Sequence, residues 1–275
     1  MLTRHLGASV RHLVLLLLSV TALAPVYLMV TGSLKSQGDF LDHPWALPSS
    51  PRLGAYRTTL NGQFGHWLIN SVIVSTGAVV LTMVIAALAA WGLVHWPFRG
   101  RDTLLGIIVS LMVVPPVVLL IPLFQVGAQL GWISTFRIVI LTYVGLMLPF
   151  SIYLLANFFK TIPGSLLEAA ALDGASPFQV FRRIVLPLSG PPVATLVVVN
   201  LLWAWNELLL ALVFLQSDEK KTLMVGITGF QSRFSLDIPT VMAGMVVATL
   251  PLVAAYIFGQ RYFIRGLTAG GLKGE

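Results

Sequence analysis

Six stretches of this chain run for about 20 residues or more with almost no Asp, Glu, Lys or Arg. They cover residues 13–34, 67–94, 103 to about 124, 138–159, about 189 to 215 and 238–260, and Glu207 alone interrupts the fifth. A helix needs about 20 apolar residues to cross a hydrocarbon core about 30 Å thick. The chain is 57% hydrophobic and 10% charged, whereas a soluble domain carries about 25% charged residues. At 275 residues a soluble fold would have too little interior for that apolar surface. The expected architecture is an all-α membrane protein of six transmembrane helices, a single membrane domain over residues 1–275 with both termini on one side.

Lys and Arg set the orientation, because cytoplasmic loops carry an excess of them. With the termini inside, Arg4, Arg11, Arg99, Arg101, Lys160, Arg182, Arg183, Arg261, Arg265 and Lys273 lie inside. Lys35, Arg52, Arg57, Arg137, Lys220, Lys221 and Arg233 lie outside. Ten against seven is a modest bias, and it puts residues 163–187 in the cytoplasm. The net charge of +7 is read as basic residues at membrane ends against anionic lipid headgroups. No basic patch interleaved with aromatics occurs, so nucleic acid is not an expected partner. The first run resembles a signal peptide in having Arg4 and Arg11 ahead of it and Ala22-Leu23-Ala24 within it. Pro25 would follow that cleavage site, and the apolar run continues well beyond it. It is expected to remain as a helix. The chain contains no Cys, so redox chemistry does not indicate a compartment.

Prolines punctuate the spans: Pro25 in the first, Pro115, Pro116 and Pro122 in the third, Pro149 in the fourth and Pro251 in the sixth. Each removes a backbone donor and bends a helix, and a carbonyl freed in lipid must find a partner within protein. Packed kinks and a span bent to widen a pathway both fit. Ala86, Ala87, Ala89, Ala90 and Gly92 make the second span thin. This allows close packing on a neighbouring span or on another subunit.

Residues 163–187 read differently from everything around them. Pro163 discourages continuation of the fourth span. Ser165 and Glu168 have capping-box spacing, with Ser165 as the cap. Leu166, Leu167, Ala170 and Ala171 form a narrow apolar face at helical spacing. Asp173-Gly174 ends that helix, with Gly174 suited to a left-handed turn. Ser176-Pro177-Phe178-Gln179 is a second capping box with Pro at the first helical position. Phe178, Phe181, Ile184 and Val185 line the helix that follows, up to Leu186-Pro187. The segment is thus a helix, a tight turn and a second helix. Its alanine-rich first helix fits either a partner's groove or the plane of the membrane surface.

Catalytic patterns are missing. There is no Gly-x-x-x-x-Gly-Lys-[Ser/Thr], hence no P-loop, and neither His-Glu-x-x-His nor Gly-x-Ser-x-Gly occurs. His5, His12, His43, His66 and His95 show no metal-ligand spacing. Glu207 is the one acid within a span, and a charge at the bilayer centre costs about 2.5–3.5 kcal/mol on insertion scales. It is expected to face protein or water. Asn200, Trp203, Asn206 and Glu207 share a helical stripe. That stripe is a candidate pathway lining, or else a hydrogen-bonded contact between membrane subunits.

The pattern Glu-Ala-Ala-x-x-Asp-Gly-Ala followed by Phe-x-x-Ile-x-Leu-Pro, from Glu168 to Pro187, resembles the EAA motif of permease subunits of binding-protein-dependent ABC importers. Further stretches are similar to the MalG-like subunit of carbohydrate uptake importers. They are Leu68-Ile69-Asn70-Ser71, Ile121-Pro122-Leu123-Phe124, Trp205-Asn206-Glu207 and the end from Tyr262 to Gly274. The resemblance runs from about residue 10 to the end of the chain. It implies a multi-pass protein of the bacterial inner membrane, with both termini cytoplasmic and no catalytic role of its own. It implies four kinds of partner: membrane lipid, a second, MalF-like permease subunit, two ATP-binding subunits and an extracytoplasmic solute-binding protein. No cofactor would be held by this chain, since ATP and Mg would be bound by the ATPase subunits. Glu168 would meet the ATPase surface together with Asp173, Ala169 and Ala170 would allow close approach, and Gly174 would make the turn. The tail at 264–275 would reach toward the ATPase from the cytoplasmic side. From composition alone, four glycines among its last ten residues specify no packed structure.

The solute implied is a sugar or oligosaccharide, with a glycerol phosphate ester as the alternative. A competing reading is an ion-coupled secondary transporter with Glu207 as relay. Such carriers usually show internal repeats, and none is evident here.

Overall fold

The computed structural model describes residues 2–229 and 237–271, with side chains over 11–229 and 237–257. Every regular element among the described residues is helical. In chain order these are α1 (Leu2–Gly32), α2 (Gln37–Asp42), α3 (Gly54–Leu60), α4 (Phe64–His95) and α5 (Arg101–Ser110). There follow α6 (Leu120–Gln129), α7 (Phe136–Phe159), α8 (Gly164–Leu172), α9 (Pro177–Val180) and α10 (Leu186–Leu188). The remainder are α11 (Gly190–Asn206), α12 (Leu209–Phe214), α13 (Leu223–Thr228) and α14 (Ile238–Gly271).

Among the described residues, four unbroken helices are long and apolar enough to cross a membrane: Arg11–Gly32, Phe64–His95, Phe136–Phe159 and Ile238–Ile257. Two further candidates are bent pairs, Arg101–Val113 with Pro116–Gln129 at 92° and Pro177–Leu188 with Gly190–Asn206 at 73°. The described residues therefore hold four candidate spans, or six if each bent pair is one span, and the second pair begins at Pro177, ahead of the expected start near residue 189. The first break has a local cause. Val114 and Pro115 are extended, with ψ of 114° and 133°, and Pro116 has no amide to donate back across the gap. At the second break, Pro191 and Pro192 likewise lack donors. The Ser189 hydroxyl donates to the Val185 carbonyl at 2.6 Å, which satisfies an acceptor near the bend. The third run extends to Gln129 rather than stopping near residue 124, so Gln125 stays within α6. The fifth stops at Asn206 rather than 215, where Glu207 turns extended, with ψ of 120°.

The chain separates into two compact units, residues 1–65 with 226–251 and residues 66–225 with 252–275. In the first, the end of α1 approaches α14 so closely that a Cβ at Gly32 would lie 2.3 Å from the Met242 sulfur. A side chain there would require the Met242 thioether to move aside. The buried Lys35 ammonium donates to the carbonyls of His43 at 2.6 Å and Pro44 at 3.1 Å. The Thr59 hydroxyl donates to the Thr240 carbonyl at 3.1 Å. These bonds fold the 35–61 connection onto the start of α14.

In the second unit, one buried cluster gathers Val74, Val139, Tyr143, Leu210 and Phe214. Another gathers Ala86, Ala90, Trp91, Leu155, Phe159, Phe181 and Val185. The small residues of α4 thus pack against elements of their own chain. Asn70 and Ser71 organise the start of α4. The Asn70 amide donates to the carbonyls of Glu219 at 2.8 Å and Lys221 at 2.9 Å, and the Ser71 hydroxyl accepts from the Leu223 amide at 2.8 Å. The backbone of α14 is helical to Gly271, so the glycine-rich end continues a helix that composition did not specify. Residues 272–275, including Lys273 and Gly274, lie outside the described residues, as does Arg233.

Candidate functional site

The segment after α7 forms a helix–turn–helix. Pro163 is extended, with ψ of 128°, and itself occupies the N-cap position of α8, where no side chain caps. This corrects the first capping box: α8 starts at Gly164, so Ser165 lies inside the helix. An N-cap residue needs extended backbone, and Pro163 supplies it two residues ahead of Ser165.

The end of α8 follows sequence chemistry closely. Gly174 has φ of +79°, a conformation that costs an L-residue roughly 1–2 kcal/mol. The Gly174 amide donates to the Ala171 carbonyl and the Ala175 amide to the Ala170 carbonyl, each at 3.0 Å. That is the paired Schellman closure of a helix C-terminus. The second capping box is present. The Gln179 amide donates to the Ser176 hydroxyl at 3.3 Å, and the Ser176 amide donates to the Gln179 side-chain oxygen at 2.7 Å.

The two faces of α8 differ. Leu167 and Ala170, with Ala175 beyond the turn, pack toward the cluster that holds Phe181 and Val185. Glu168, Ala169, Ala171, Asp173 and Gly174 are exposed. Leu166 is also exposed, and Leu172 is 89% exposed. The apolar face expected from Leu166, Leu167, Ala170 and Ala171 is therefore divided. Residues 165, 168, 169 and 172 form an outward stripe at helical spacing. Leu172 was missed by sequence reasoning, because an exposed leucine carries no signal in a chain this apolar.

The base of the segment is fixed. Phe181 and Val185 are buried, and the Phe181 ring stacks on Trp91 of α4 at 5.9 Å. Residues Phe181–Val185 form a π turn, an irregularity that is rare in helices and frequent at functional sites. Phe178 projects outward, 61% exposed. The row predicted from Phe178, Phe181, Ile184 and Val185 is thus anchored only from Phe181 onward.

Around the end of α11 the four stripe residues have distinct environments. Asn200 is 4% exposed and donates to the Ser151 hydroxyl at 3.0 Å. Glu207 accepts from the Tyr143 hydroxyl at 2.7 Å, from the Leu210 amide at 2.9 Å and from the Ala211 amide at 3.1 Å. It therefore caps the first turn of α12 and ties it to α7. Trp203 meets Tyr143 edge-on at 5.2 Å and lines a cavity of about 510 Å³ with residues of α6 and α7 such as Leu123 and Pro149. Asn206 is exposed and donates to the Leu202 carbonyl at 2.7 Å. Asn200 and Glu207 thus have hydrogen-bond partners within the bundle, while Asn206 lies at its surface.

Comparison with known proteins bears on what such an arrangement does. Residues 82–269 match the family described as binding-protein-dependent transport system inner membrane component. The trehalose transport system permease protein SugB of Mycobacterium tuberculosis is 34% identical, over 92% of this chain and 93% of that protein. The melibiose/raffinose/stachyose import permease protein MelC of Bacillus subtilis is 30% identical, over 96% of this chain and 97% of that protein. A chain in the crystal structure of a bacterial ABC transporter involved in the import of the acidic polysaccharide alginate shares the fold. The TM-score is 0.83 at 24% identity, over 95% of this chain and 98% of that one.

Proposed function

The chain belongs to the family of binding-protein-dependent transport system inner membrane components, as a permease subunit of an ABC importer, and on that premise we propose how it couples and what it carries. Helix α8 receives the motion of a separate ATP-binding subunit, and residues 173–185 pass it into the membrane bundle. The observation that carries this reading is the division of α8. Its outward stripe carries Glu168 beside Ala169 and Leu172, while Leu167 and Ala170 on its inner side pack half-buried against the core and Phe181 and Val185 of the π turn are buried in it. A projection of this kind offers a graspable surface and a rigid base, so a push on α8 moves α4 and α7 through Phe181 and Trp91. The segment lies on the cytoplasmic side, and the termini with it. Two ATP-binding subunits hold ATP and Mg below. A second, MalF-like permease subunit completes the pathway, and an extracytoplasmic protein delivers solute.

The solute is a sugar or oligosaccharide, as the names of the trehalose and melibiose/raffinose/stachyose permeases indicate for those relatives. Of the four stripe residues, Trp203 and Asn206 are the ones that meet solute. Asn200 and Glu207 hold the wall that presents them.

Ala169→Trp tests the docking role, because Ala169 is exposed and the change leaves the inner face of α8 intact. Solute-stimulated ATP hydrolysis by the reconstituted importer is expected to fall at least tenfold, with unchanged membrane insertion. Wild-type stimulation in this variant refutes the proposal.

A further inference from the structure

A groove of about 400 Å³ opens on the flank of the second unit. Val84 and Leu88 of α4 form one side, Phe178, Phe181 and Leu186 the other, and Arg182 completes its wall. Val84, Leu88, Phe178 and Leu186 are all exposed, so the groove is open to whatever surrounds the helix. Val84 and Leu88 belong to α4, a helix long and apolar enough to cross a membrane, and on that reading their exposed side chains face hydrocarbon. Leu88 lies seven residues before the end of α4 at His95, about 10 Å along the axis at 1.5 Å per residue. Val84 and Leu88 thus lie about three and two turns before the end of α4, and with Phe178 and Leu186 in the segment read as cytoplasmic the groove runs from the span to its cytoplasmic end.

Arg182 and Arg183 are exposed. The two ion pairs among the described residues, Arg101 with Asp102 and Lys221 with Asp218, involve neither. The groove therefore combines an apolar trough with an uncompensated guanidinium. An acyl chain fits the trough, and a phosphate fits the guanidinium. A polyhydroxylated solute fits neither, since it would leave its hydroxyls unpaired against valine, leucine and phenylalanine.

We propose that this groove is a binding site for one anionic phospholipid, its acyl chain between α4 and the 178–186 segment and its phosphate on Arg182. The site rests on the membrane-spanning reading of α4 and not on ATPase docking, so it stands or falls separately from the coupling proposal.

The test is native mass spectrometry of the full-length chain released from bilayers of equal parts phosphatidylglycerol and phosphatidylcholine. Wild-type protein retains phosphatidylglycerol in about fivefold preference, the factor expected for one basic residue at an anionic surface. Arg182→Gln, at an exposed position, abolishes the preference. Arg99→Gln, outside the groove, keeps it. Val84→Trp, at an exposed position in the wall, fills the trough and abolishes retention of either lipid. Equal retention of the two lipids by wild-type protein overturns the proposal. So does an undiminished preference in Arg182→Gln, or an equal loss in Arg99→Gln. In the assembled importer, a photoreactive group at Phe178 is expected to label lipid. Labelling of a partner subunit instead would also overturn it.

Discussion

Gly174 offers a graded test of the turn between α8 and α9. Its φ of +79° lies in the left-handed region, and a Cβ built there would meet nothing within 4 Å. Any cost of a side chain is therefore conformational rather than steric. For alanine the left-handed backbone costs about 1–2 kcal/mol, offset by about 0.4–1 kcal/mol because alanine restricts the unfolded chain more than glycine does. The net for Gly174→Ala is about 1 kcal/mol. Asparagine tolerates this conformation, so Gly174→Asn is expected within a few tenths of a kcal/mol of glycine. Proline cannot reach positive φ and has no N–H, so Gly174→Pro also deletes the 3.0 Å bond to the Ala171 carbonyl. Its cost is about 3 kcal/mol or more, enough to dissolve the turn. The assay is solute-stimulated ATP hydrolysis in the reconstituted importer, with limited proteolysis at residues 172–178 reporting turn order. The expected rank is Gly and Asn, then Ala, then Pro, with coupling lost in the last while insertion persists. Full stimulation in Gly174→Pro would falsify the idea that this turn transmits force.

Two other substitutions test neighbouring parts of the account. Glu207→Ala strips the acceptor from the Tyr143 hydroxyl and the Leu210 and Ala211 amides. It should lower stability by about 2–4 kcal/mol, while Glu207→Gln, which keeps an acceptor, loses less than half of that; thermal unfolding in detergent gives both values. Ser176→Ala removes the cap of α9. It is expected to cost about 1 kcal/mol and to raise proteolysis at 173–180 without changing the unfolding of the bundle.

The spans and the second capping box were legible because both depend on short-range chemistry. Apolar length fixes a span, and Ser176 with Gln179 three residues later fixes a helix start. The first box failed for an equally local reason: Pro163 took the extended position that Ser165 would have needed. The first bend was announced by Pro115 and Pro116, whereas the second, at Pro191 and Pro192, was not expected. Their angles of 92° and 73° depend on packing against elements far away in sequence. Glu207 illustrates the same limit. Its bonds to the amides three and four residues ahead are a local capping pattern, but Tyr143 lies 64 residues away. Nothing in the spacing of either residue indicates the other. The outward aim of Leu172 is a property of which side of α8 meets Phe181 and Val185, and that is decided in three dimensions.

The most direct test of the central claim uses the absence of cysteine from the chain, which makes Leu172→Cys a single-site probe at a position 89% exposed. A membrane-impermeant maleimide should label it in inside-out vesicles and leave it unmodified in right-side-out ones. Assembly with the ATP-binding subunits should then protect it. Labelling from the outer face, or labelling that assembly leaves unchanged, contradicts a cytoplasmic segment gripped by the ATPase.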